Sequence, residues 1–103
     1  MITIKDIIKW SKPHPTSKYV GGNGRQSRFG NDQVEFSIVG GDKGLYGDFE
    51  KTFEVAIFDR KTRNFVTRFF YPEATDDVIP HMGIKEVEKL VNSVIKRENL
   101  SVD

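Results

Sequence analysis

The chain predicts an α+β fold: a short N-terminal helix, a three-stranded antiparallel meander, and a C-terminal amphipathic helix packed on the sheet (α-β-β-β-α). Two stretches carry that expectation. From Lys51 to Tyr71 the sequence KTFEVAIFDRKTRNFVTRFFY reads as two strands about a polar turn. Phe53, Val55 and Ile57 alternate in the first arm, and Phe65, Thr67, Phe69 and Tyr71 in the second. Such alternation, rich in aromatic and β-branched residues, is the pattern of a half-buried strand. From Gly83 the period changes. Ile84, Val87, Leu90, Val91, Val94 and Ile95 recur at three-and-four spacing, the apolar stripe of a helix. Five of the eight phenylalanines lie in the first stretch, so the core is expected to centre there.

The remaining elements follow in order. Thr3 suits a helix N-cap with Asp6 in the capping-box position, Ile2 can staple onto Ile7, and Ile4, Ile7 and Ile8 form an apolar stripe ending near Trp10. Pro13 and Pro15 close this helix. Residues 11–32 carry PHP, GGNG and RQSRFGND without periodicity and are expected to form a long loop, with Lys18–Val20 as a short edge strand within it. Val34, Phe36 and Ile38 share one face of the next strand. Residues 40–50 form a second Gly-rich loop whose Leu45, Tyr46 and Phe49 fold back onto the body. Asp59 and Asn64 bracket the hairpin turn, Asn64 being suited to the left-handed conformation. Glu73 to Met82 is expected to connect the sheet to the last helix, with one helical turn at Val78–Ile79. Residues 1–103 read as one compact domain with no internal repeat.

Composition narrows the function classes. The chain has no cysteine, which excludes disulfides and thiolate metal sites and makes a reducing cytoplasm the expected setting. No apolar run approaches the ~18 residues of a membrane-spanning helix, and the N-terminal MITIKDIIKW does not read as a signal peptide. Net charge is +1, unevenly placed. Residues 1–28 hold six Lys or Arg against Asp6, while the rest holds ten basic and fourteen acidic residues. A basic segment of this kind suits an anionic partner or a solvated loop.

No catalytic constellation stands out. His14 and His81 each sit beside proline without a carboxylate at ligand spacing, and no serine has a nucleophile-elbow context. GGNGRQS lacks the Lys–Ser/Thr pair of a phosphate-binding loop and the third glycine of a dinucleotide fingerprint. Asp42, Asp48 and Glu50 do not match a calcium loop. The expectation is therefore a non-enzyme with no cofactor and no metal. Two glycine-rich loops on one small scaffold suit recognition. The expected contacts to a protein partner are Lys18, Tyr19, Arg25 and Arg28 from the first loop and Tyr46 and Phe49 from the second. Cations interleaved with Trp10, Tyr19 and Phe29 also suit nucleic acid, and that alternative places Lys9, Lys12, Lys18, Arg25 and Arg28 on phosphates.

Helix, three strands, helix is similar to the order of double-stranded RNA-binding domains. That family sets a cluster of lysines on phosphates at the start of its second helix. The corresponding turn here reads Gly83, Ile84, Lys85, Glu86, with Lys85 and Lys89 as the cations that could stand in. The run EVAIFDRKTRNFVTRFFYPEATDDVIPHMGIKEVEKLV resembles, in style, small proteins carried by phages and prophages, anti-CRISPR inhibitors among them. This second resemblance implies a compact factor that binds and blocks a larger protein or nucleoprotein machine, and it carries over no functional residue.

Overall fold

The computed structural model describes residues 1–15, 23–41 and 45–98. Helix α1, Ile4–Lys9, begins as its sequence dictates. Thr3 is extended at the N-cap, its N–H donates to Asp6 Oδ2 at 3.0 Å, and Asp6 N–H donates back to Thr3 Oγ1 at 3.4 Å. Ile7 is fully buried and Ile8 is exposed, so the expected stripe narrows to Ile4 and Ile7.

Among the described residues five strands follow in one antiparallel sheet whose spatial order is the chain order: β1 Lys12–Pro13, β2 Arg25–Gly30, β3 Val34–Gly40, β4 Thr52–Asp59 and β5 Val78–Gly83. The α+β character is as expected, and the three-strand count is corrected to five. Two of the added strands lie in residues 11–32. β2 reads RQSRFG, with a single large apolar residue, yet Ser27 and Phe29 are buried on one face while Arg28 is exposed on the other. The pairing Phe29↔Phe36↔Ile57 runs across three strands. Here neighbouring strands supply the burial that propensity did not signal. Lys18–Val20 lies outside the described residues.

The second hairpin arm is also corrected. Phe65 makes a single bridge to Phe58. The chain then turns into a short helix, α2 Thr67–Phe70. The Thr67 hydroxyl accepts from Ile57 N–H at 2.9 Å and donates to the Asp77 carbonyl at 2.6 Å. One side chain thus serves the edge of β4 where β5 ends. β5 replaces the helical turn expected at Val78–Ile79. In it Pro80 and His81 together oppose Glu54, a bulge between the pairs Phe53↔Met82 and Val55↔Ile79, with His81 left-handed at φ 54°. In the turn after β4 the Asp59 carboxylate accepts from the N–H groups of Lys61 and Thr62, and the left-handed residue is Arg63 (φ 64°), not Asn64.

Helix α3, Ile84–Glu98, buries Val87, Leu90, Val91 and Val94 against Phe36, Ile38, Phe53, Val55 and Ile57 of the sheet. The N-terminal segment is tied to it. Ile2 N–H donates to Asn92 Oδ1 and Asn92 Nδ2 donates back to the Ile2 carbonyl, at 2.9 and 2.8 Å. Ile4 N–H, one of the unpaired donors of the α1 start, reaches Glu88 Oε2 at 2.7 Å. Trp10 stands over Phe29 at the rim, half-exposed, with ring centroids 5.2 Å apart. None of the described helices is long and apolar enough to cross a membrane.

The segment leading into β4 is held by one carboxylate. Asp48 Oδ1 accepts from the N–H groups of Glu50, Lys51 and Thr52 at 2.8–3.0 Å, which holds its pKa well below the usual carboxylate range. A carboxyl lowered in the folded state adds stability above its unfolded pKa and loses it as pH falls through the folded value. Asp48→Ala is therefore expected to lower Tm near neutral pH. Its deficit against wild type should shrink as the pH is taken below about 4. Thermal denaturation across that range checks the sign, and a deficit that does not change with pH would refute it.

Candidate interaction surface

Helix α3 covers one face of the sheet, and the opposite face carries the candidate site. The pairings Gly30↔Glu35↔Phe58↔Phe65 form a row across it. Directly paired residues share a face, so Glu35, Phe58 and Phe65 stand together, opposite the core residues Phe36 and Ile57. Glu35 is nearly buried and three guanidiniums converge on it. Arg28 Nε donates to Glu35 Oε1 at 3.1 Å and its Nη2 contacts the same oxygen. Arg60 Nη2 lies 3.2 Å from Oε2, and Arg63 Nη1 lies 3.8 Å from Oε1. One carboxylate cannot neutralise three arginines. The cluster therefore keeps an excess of positive charge around Glu35.

Aromatic rings adjoin the cations. Phe58 and Phe65 lie 4.5 Å apart between centroids, and the Arg63 guanidinium carbon is 5.9 Å from the Phe58 centroid. Phe65 is 43% exposed, and Phe69, on α2, is 62% exposed with its ring edge-to-face on Phe70. Arg68, the chain neighbour of Phe69 on α2, forms a solvent-exposed pair with Asp77 at 3.5 Å. Below α2 a cleft of about 350 Å³ opens toward α3, floored by Phe70, Met82 and Leu90 and rimmed by Glu73, Glu86 and Lys89.

The residues expected from sequence fall in several places. Lys18 and Tyr19 lie outside the described residues. Arg25 is turned inward to Ser11, donating from Nε and Nη2 to its hydroxyl at 3.1 and 2.9 Å and from Nη2 to its carbonyl at 2.8 Å. Arg28 belongs to the Glu35 cluster. Lys9 and Lys12 are exposed, at the end of α1 and in β1. Tyr46 is exposed, its N–H on Glu54 Oε1 at 3.2 Å and its ring edge-on to His81. Glu54 lies four residues along β4 from Phe58, about 13 Å at strand rise, so Tyr46 and Arg28 do not converge. Phe49 is a correction: it is 8% exposed, packed on Phe53, and part of the core.

Glu35, Phe58, Arg60, Arg63, Phe65, Arg68 and Phe69 are site residues that sequence reasoning did not single out. A signal for them is present: from Arg60 to Pro72 the chain carries four cations and no acid. Among the described residues no group of three or more His, Asp or Glu side chains is arranged to hold a metal. The chain matches no protein-family model, no curated protein and no solved structure.

Proposed function

We propose that this chain is a non-enzymatic binding domain that engages another protein through Arg28, Arg60, Arg63 and Phe65, with Arg68 and Phe69 of the adjoining α2. The exposure of Phe65 and Phe69 beside arginines carries the reading. Large aromatic rings left in water cost free energy that a partner recovers, and arginine with aromatic anchors dominates protein interfaces. The mixed charge, with Glu35 under Arg28 and Arg60 and Asp77 beside Arg68, suits a protein surface better than a phosphate chain. Among the cations expected on nucleic acid, Arg25 and Arg28 are engaged within the fold. A role as a small blocking factor of phage type rests on the resemblance in style and is examined by the same experiment.

Tagged protein is incubated with nuclease-treated and with untreated bacterial lysate, and the captured material is compared for wild type and Phe69→Ser. That substitution touches an exposed ring and is expected to change stability by less than about 0.5 kcal/mol. It should weaken partner binding by roughly thirtyfold, the loss of an interface anchor of about 2 kcal/mol. Capture unaffected by Phe69→Ser sinks the assignment. Recovery of nucleic acid alone, lost at raised salt, moves the function to Lys9 and Lys12.

A further inference from the structure

We infer that the partner is gripped through an acidic segment, a run of Asp or Glu side chains seated on the Arg28–Arg60–Arg63 cluster beside Phe65. The inference rests on the reading of this face as a protein-contact surface and names the chemistry it selects. Glu35 already shows the recognition within the chain: its two oxygens take Arg28 and Arg60 at bonding distance. Arg63 stays at 3.8 Å from the carboxylate, beyond hydrogen-bond length, with its side chain 57% exposed. Its guanidinium carbon stands over the Phe58 ring, 5.9 Å from the centroid, and its planar donors suit a second carboxylate.

The backbone supports a role for this arginine. Arg63 sits at φ 64° in a tight turn, its N–H donating to the Asp59 carbonyl at 2.8 Å. Glycine or asparagine fits that conformation with less strain, and residues held there against preference cluster at functional sites. The side chain thus occupies a turn position at a cost to folding, and charge on the outer face is what it adds. An acidic peptide suits the cluster better than a nucleic acid does. The cationic spot is local, since Glu54 lies on the same face further along β4 and Asp77 pairs with Arg68. A strand of phosphates needs a track of cations, whereas a few carboxylates need one spot with an apolar ring at its edge.

The test uses the whole chain and defined probes. Acetylated hexaglutamate amide, the hexaglutamine equivalent and a twelve-residue oligothymidylate are titrated separately while the arginine Nε–Hε signals are followed by NMR. Saturable shifts of Arg63 and Arg28 with hexaglutamate, absent with hexaglutamine, are expected. Arg63→Gly relieves the backbone and should keep or raise Tm while weakening hexaglutamate at least about tenfold. Lys85→Ala removes the same unit charge on α3 and should change affinity by less than about twofold. No arginine shift, equal losses in the two variants, or tighter binding of the oligonucleotide overturns the proposal. The titration needs no cellular partner, so a failure here with Phe69-dependent capture intact leaves the functional reading standing. Hexaglutamate binding without such capture removes the functional reading and the proposal with it.

Discussion

Replacing Thr67 by valine is expected to remove about 2–4 kcal/mol of stability, against a smaller loss for serine. Valine matches the shape of threonine, so the cavity term is minor and the difference isolates the hydroxyl. That hydroxyl occupies a place where no strand runs. β4 needs a partner for Ile57 N–H on the side facing away from β3, and β5 has ended by then. Thr67 Oγ1 accepts from it and donates its own O–H to the Asp77 carbonyl. Without the hydroxyl, a donor and an acceptor both lose their partner beside a fully buried side chain. For a domain of this size the expected fall in Tm is roughly 10–25 °C. Thermal and urea denaturation of Thr67→Val and Thr67→Ser decide it. Equal midpoints for the two variants would mean that the hydroxyl is dispensable.

Gly30→Ala is expected to be more severe, above about 4 kcal/mol and enough to unfold a domain of ordinary stability. A Cβ at Gly30 would stand 2.1 Å from the Val34 carbonyl oxygen and 2.9 Å from Glu35 Cα. Both obstacles are backbone, so no rotamer change relieves them. The turn they belong to is pinned, because Asn31 Oδ1 accepts from Gln33 and Val34 N–H at 2.8 and 3.0 Å. The clash also strikes the candidate site, since Gly30 pairs with Glu35. Loss of soluble expression, or of the far-ultraviolet signature of the sheet, is the expected outcome. A folded variant melting within a few degrees of wild type would show that the turn can shift.

Those two positions also mark where sequence reading succeeds and where it stops. The Thr3–Asp6 box and the α3 stripe are local patterns, and both appear as read. The run Phe65–Tyr71 fits period two throughout, but pairing stops at the Phe58↔Phe65 bridge and the chain turns into α2 from Thr67. Its alternation places Thr67 like any strand residue, and only the fold reveals the two backbone groups that it serves. β5 is hidden by Pro80 in its middle, a residue that argues against a strand and is admitted here by the bulge. The arginine cluster is less legible still. Arg28, Glu35, Arg60 and Arg63 come from three segments, and only the strand register makes them neighbours. Phe49 misled because a loop aromatic can anchor a partner or plug its own core, and the two are alike in sequence.

The bulge in β5 and the brevity of β1 bear on how this sheet meets other chains. An outer strand with a straight row of free N–H and C=O groups invites another strand to extend the ladder, in a dimer or in a fibril. Among the described residues neither β1 nor β5 offers such a row, and Ser27–Gly30 of β2, beyond the two residues of β1, pair on the β3 side. β1 has two paired residues, one of them Pro13. β5 has Pro80, without an N–H, beside His81, whose N–H is taken by the Tyr46 carbonyl at 2.9 Å. Recognition by strand addition is thereby disfavoured along β5 and at β1 itself. Contact through the Arg28, Arg63 and Phe65 side chains needs no such edge, so binding on this face is separable from β-assembly.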